Sequence, residues 1–190
     1  LRKVTGVQTC ALPICRAIDL MTAKREIFIS VDVETAGPVP GEFSLLSIGA
    51  CDVDDASRSF KVELKPINRN ADPKALEVAG FSLEALAERG EEPATAMNAF
   101  EAWAKGLAGP DDVLVFVGFN APFDWSFVNY YFHRFVGANP FGFTALDIKA
   151  LYMGVTGGAR CCTASRPIAP QAGRIMTHCT MQGTKPSCSV

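Results

Sequence analysis

One segment constrains this chain more than any other. Residues Ile27-Phe-Ile-Ser-Val-Asp-Val33 form a nearly continuous, β-branched apolar run, closed by the acidic triplet Asp32-Val33-Glu34 and then Thr35. A run of that length and composition predicts a central strand buried on both faces. Side chains at i and i+2 of a strand share a face, so Asp32 and Glu34 project together where the strand reaches its carboxyl end. In open α/β sheets that edge is where sites form. Two carboxylates so close repel, unless cations lie between them. Solvated strand-end acids are the simpler alternative for an isolated Asp-x-Glu.

The remaining pattern predicts a mixed sheet. Strands are expected over 43–51 and 59–64, linked by the Gly37-Pro-Val-Pro-Gly41 and Asp54-Asp-Ala-Ser57 turns, so that three strands follow one another as an antiparallel meander. Helical stretches are expected over 73–79, 82–87 and 93–107, the last carrying Ala96, Phe100, Trp103 and Leu107 at helical spacing. Val113–Val117 reads as another buried strand. Pro122 then opens a helix in which Phe123, Phe127, Tyr131 and Phe135 recur every four residues, and 145–153 reads as a last helix. The fold class is α/β, three antiparallel strands followed by alternating helices and strands.

A second acidic element sits at the strand-to-helix junction Val117-Gly-Phe-Asn120-Ala-Pro-Phe-Asp124-Trp-Ser-Phe127. Asn120 has a reading as an N-cap and Pro122 as a first-turn residue. Asp124 also suits a first turn, where the helix dipole favours an acid. Its neighbours Phe123, Trp125 and Phe127 make an unpaired carboxylate costly, which points to pairing or metal binding.

Asp-x-Glu-Thr on a first strand, then Asn-x-x-x-Asp-x-x-Phe about 90 residues on, resembles the DEDD family of 3′–5′ exonucleases. The likeness extends through Ser47-Ile-Gly-Ala50 and covers roughly 26–153. That family includes oligoribonuclease, ribonuclease T and the proofreading subunit of replicative DNA polymerase, and the resemblance implies a ribonuclease-H-like sheet. It further implies that Asp32, Glu34 and Asp124 hold two Mg²⁺ or Mn²⁺ ions and hydrolyse phosphodiester bonds at single-stranded DNA or RNA 3′ ends. Backbone near Thr35 and Ala36 would meet the terminal nucleotide, with Asn120 beside it, and Phe127 or Phe43 could stack on a base. Where the family commonly has a second Thr and then Gly, this chain has Ala36-Gly37. The family's third motif is a His, four residues, then Asp. Here His178 is followed by Cys-Thr-Met-Gln-Gly and no acid follows Asp147, so the motif fails as written. Asp147 reads as a helix-start acid and His133 as a residue on the exposed side of its helix.

The rest of the composition is uneven. All 13 Phe lie between Phe28 and Phe143, and six of the seven Cys lie outside 21–153. From Met21 to Met153 there are 19 acidic and 11 basic residues, a net −8, whereas 154–190 has four bases and no acid or aromatic residue. Three segments are therefore expected. Residues 1–20 have no helical or strand period and resemble conceptual translation of a library adapter. Residues 21–153 carry the domain. Residues 154–190 read as an out-of-frame tail. Reading 175–189 from the third base of each codon permits a string that contains His-Asp-Ala-Leu-His-Asp, with an Asp, a Leu and an Ala forced by the code. Adjacent Cys161-Cys162 suit neither zinc nor a disulfide framework, so a reducing, cytoplasmic setting is expected. No apolar run reaches membrane-spanning length. The acidic middle disfavours strong metal-free nucleic-acid binding. The alternative function is a non-catalytic exonuclease-like module that holds nucleic acid or a protein. Oligomeric state, and DNA against RNA, stay open.

Overall fold

The computed structural model describes residues 24–157; the leader, most of the tail and His178 lie outside them. Five strands and five helices follow in the order β1 (Glu26–Thr35), β2 (Leu45–Asp52), β3 (Ser59–Glu63), α1 (Pro73–Ala79), α2 (Leu83–Arg89), α3 (Pro93–Gly106), β4 (Val113–Gly118), α4 (Pro122–Phe135), β5 (Ala145–Asp147) and α5 (Ile148–Thr156). The sheet order is β3-β2-β1-β4-β5. The first three strands form the expected antiparallel meander, and β4 and β5 then add in parallel. No helix among the described residues is long and apolar enough to cross a membrane.

β1 is central as expected, but it is not buried on both faces. Ile27, Ile29, Val31 and Val33 point into the core, each at most 7% exposed. Phe28, Ser30 and Glu34 on the other face are half-buried and Asp32 is exposed. Apolar Phe28 hides this asymmetry from a sequence reader, because a run without strict alternation reads as two-sided. The covered face receives α3 and α4. Met97 and Phe100 from α3, and Phe127, Val128, Tyr131 and Phe132 from α4, are all fully buried in the core beneath the sheet. Phe100 stacks on Phe60, Trp103 and Phe132 with ring centroids 5.2–6.0 Å apart, which extends the core to the β3 edge.

A smaller cluster of Ala36, Leu46 and Leu86, packed with Phe43 and Leu76, fixes α1 and α2 beside the end of β1. It depends on a bulge. Glu34 pairs with Ser47 but Thr35 pairs with Leu45, so Leu46 is an extra residue in β2. Such an insertion bends a strand locally, and Leu46 leaves the main core for the smaller cluster. The expected start of β2 at Phe43 therefore gives way to Leu45. The Leu45 N–H donates to the buried Tyr131 hydroxyl at 2.8 Å, whose pKa burial pushes up to about 12. The expected helix over 145–153 is also corrected. Ala145–Asp147 pair with Phe116–Gly118 as a strand, and the helix begins only at Ile148.

Candidate active site

β4 ends beside the middle of β1, and α4 starts just beyond that end. The parallel pairing of β1 with β4 ends at Ser30 opposite Val117, while β1 runs on to Thr35. Main-chain donors beyond Ser30 on that side need another acceptor. The Val33 N–H finds it in Asp124 Oδ1 at 3.1 Å, across 91 residues of sequence. Asp124, only 6% exposed, is thereby set against the strand segment from which Asp32 and Glu34 project.

Electrostatics tie the three acids together. Burial, then the nearby Asp32 charge, push the Asp124 carboxyl up to about 6, against the lowering effect of the Val33 N–H. Desolvation raises Asp32, and desolvation followed by the Asp32 charge raises Glu34. No Lys or Arg forms an ion pair with any of the three among the described residues. An all-oxygen set of carboxylates that resist their own ionisation suits hard divalent cations. The side chains are not drawn into one closed cage. Among the described residues no three acidic, His or Cys groups already stand at metal-binding spacing. The Asp124 Oδ1 is turned toward the Val33 N–H.

The other expected contacts divide. Thr35 is buried, with its hydroxyl donating to Gly37 O at 2.9 Å, yet it lines a groove of about 370 Å³ with Val33, Glu34 and Gly37. Ala36 faces no groove. It is fully buried, its N–H donates to Ser44 O and its carbonyl accepts from Asp72 N, so its backbone is already used. Phe43 lies flat over Gly37, where any Cβ would stand 2.3 Å from the ring, and it serves packing. Phe127 is fully buried in the main core, so it cannot stack on a base. Asn120 is not the N-cap of α4. It is an exposed turn residue at φ 62, and Ala121 occupies the cap position without a side-chain bond.

Sequence reasoning missed Phe123, which is 37% exposed and lines the groove from α4, and Lys74 and Val78, which line it from α1. The four-residue aromatic spacing placed Phe123 and Phe127 on one stripe, and their rings do lie together with centroids 5.4 Å apart, but Phe123 in the first turn of α4 reaches solvent while Phe127 is fully buried. Asp147 is a helix-start acid as expected, accepting from Lys149 N and Ala150 N. His133 is exposed.

No family model matches the chain. Over 149 residues, 78% of this chain and 80% of the other, it is 52% identical to an Escherichia coli protein named 3′–5′ DNA exonuclease Cap18. Among solved structures it is similar to product-bound exonuclease I, with a TM-score of 0.55 and 17% identity over 70% of this chain and 32% of that one. It is equally similar to E. coli exonuclease I in complex with a dT13 oligonucleotide, at TM-score 0.55, 17% identity, 70% of this chain and 30% of that one. A zinc-bound form of the E. coli ExoI–ssDNA complex matches at TM-score 0.52 and 19% identity, over 70% of this chain and 30% of that one. The chain thus spans about a third of the length of these structures, and at such identities they establish the ribonuclease-H-like α/β fold.

Proposed function

Since the chain belongs to the DEDD family of 3′–5′ exonucleases, with Cap18 as a relative, we propose that it shortens single-stranded DNA from its 3′ end by hydrolysing phosphodiester bonds. One observation carries this reading: the Val33 N–H to Asp124 bond sets a third carboxylate against the strand that bears Asp32 and Glu34. In this reading Asp32, Glu34 and Asp124 hold two divalent ions, Mg²⁺ or Mn²⁺, which when bound lower the pKa of an attacking water and stabilise the leaving 3′ oxygen. Their hard oxygen donors favour those ions over softer ones.

The chain's own residues supply binding and orientation. The groove beside Glu34 has room for about one nucleotide. Phe123 offers an exposed ring on which a base can stack, and Val78 adds apolar surface on the α1 side. The Lys74 ammonium can meet a phosphate at the groove rim. The Thr35 hydroxyl spends its proton on Gly37 O, which leaves its oxygen free to accept from a terminal sugar hydroxyl.

The general base would come from the third motif, which this sequence does not carry, since 148–190 contains no acid. The chain as written is accordingly proposed to cleave slowly, by roughly the 10²–10⁴-fold that acid–base catalysis contributes. The test is shortening of a 5′-labelled single-stranded DNA with Mn²⁺ or with chelator, for this chain, a frame-restored chain and its Asp124→Asn variant. Metal-dependent shortening is expected to be roughly 10²–10⁴-fold slower for this chain, and strongly reduced by Asp124→Asn, relative to the frame-restored chain. No shortening by that chain would sink the reading, and tight binding in chelator without cleavage would favour the non-catalytic module that the missing motif suggests.

A further inference from the structure

The turn between β4 and α4 holds a conformation that most residues resist. Asn120, at φ 62, is the only non-glycine residue with positive φ among those described. Asn tolerates that region better than other side chains, and here contacts on both sides of the turn hold it there. Below the turn, Ala121 is fully buried, and a Cβ on Gly118 would lie 3.1 Å from it. Above it, the Asn120 N–H donates to Asp147 Oδ1 at 3.1 Å. That same oxygen accepts from Lys149 N at 2.9 Å and from Ala150 N at 3.4 Å in the first turn of α5. Asp147 is also the β5 residue paired in register with Gly118. One carboxylate oxygen therefore joins three main-chain donors from two separate junctions.

We infer that Asp147 is a positioning residue for the metal site, acting through the Asn120 turn on Asp124. The inference rests on the reading that Asp124 helps hold divalent ions. The first turn of α4 hangs from this point, because Asn120 O accepts from Phe123 N at 3.1 Å and Ala121 O from Trp125 N at 2.8 Å. Asp124 lies between those two donors, and its own bond to Val33 N has little length to spare at 3.1 Å. Releasing Asn120 lets the turn relax toward ordinary dihedrals and carries the Asp124 carboxylate off the strand. Asp147 does not do this as a ligand. β5 lies two strands from β1, roughly 10 Å at ordinary sheet spacing.

The test is calorimetric titration of the full chain with Mn²⁺, alongside its melting temperature. Asp147→Ala should weaken Mn²⁺ affinity roughly tenfold or more, as loss of a ligand-orienting group does. Asp147→Asn keeps an oxygen in place and should restore it. Asp147→Ser can still cap α5 but falls short of Asn120, so it should melt near the unsubstituted chain while its Mn²⁺ affinity stays weakened. Ser82→Ala removes the cap of α2, remote from the site, and should lower the melting temperature without moving Mn²⁺ affinity. Unchanged Mn²⁺ affinity in Asp147→Ser, or a loss in Asp147→Ala no larger than in Ser82→Ala, overturns the inference. If the unsubstituted chain and Asp124→Asn bind Mn²⁺ alike, the metal-site reading fails instead and takes the inference with it.

Discussion

The sheet buries a carboxylate at each end of its antiparallel half, and the two are treated in opposite ways. Asp52, at the far end of β2, is 2% exposed, pairs with Arg58 and accepts from Asp54 N. Asp124, 6% exposed, accepts from the Val33 N–H, has two further acids within electrostatic reach and forms no ion pair among the described residues. Burying a charge is costly unless it is neutralised. At Asp52 the chain supplies the neutralising charge itself. At Asp124 no such charge stands among the described residues, which is the condition the proposed metal site requires. The difference is between a joint whose charge is balanced from within and a carboxylate whose charge is not.

Exchange experiments on the two carboxylates should expose this contrast. The largest effect is expected in activity. In a frame-restored chain, Asp124→Asn should lower kcat by roughly 10³-fold, on the order of 4 kcal/mol, while Asp52→Asn leaves it within a small factor. Steady-state cleavage of single-stranded DNA measures both, and comparable losses would erase the distinction. Next comes stability. Arg58→Ala leaves Asp52 buried without its partner and should cost about 2 kcal/mol, moderated because Arg58 is itself half exposed, as read by urea unfolding.

The opposite sign is expected at the other end. The folded pKa of Asp124 lies above its unfolded value, so the folded state binds more protons between about pH 4 and 6 and loses stability as pH rises through that window. Asp124→Asn should therefore stabilise the metal-free chain at pH 7 by roughly 1–2 kcal/mol, a gain that disappears below pH 4. Mn²⁺ should raise the melting temperature at pH 7 and cease to do so once the carboxylates are protonated. A melting curve that is flat from pH 4 to 7 would contradict this. Smallest is Phe123→Ala, which should weaken single-strand binding by about 1 kcal/mol or somewhat more and scarcely change the melting temperature.

Much of this was legible from residue order, for physical reasons. The β1 run, the Pro-led helices and the Asp32–Glu34 pair are local patterns, and local patterns survive folding. Asp124 could be singled out because an acid among Phe123, Trp125 and Phe127 is anomalous wherever it lands. What stayed hidden was set at long range. Ala145–Asp147 has only three residues and becomes a strand because β4 offers a free edge. The Leu46 bulge is defined by its partner strand. The left-handed Asn120 is hydrogen-bonded to a carboxylate 27 residues away. Phe127, expected to meet a base, is fully buried, and how deep each ring of that stripe lies is set by the packing of α4 on the whole core. The third motif could be judged from residue order alone, because no His followed after four residues by Asp occurs in the sequence.

β1 outlasts its pairing with β4 by five residues, from Ser30 to Thr35. Such an overhang is commonly a hazard, since idle rungs recruit foreign strands. Here the shortness of β4 is what leaves a berth for Asp124. An insertion that let β4 zip further along its neighbour would capture the Val33 N–H and evict the acid, disarming the molecule with every carboxylate still in its sequence.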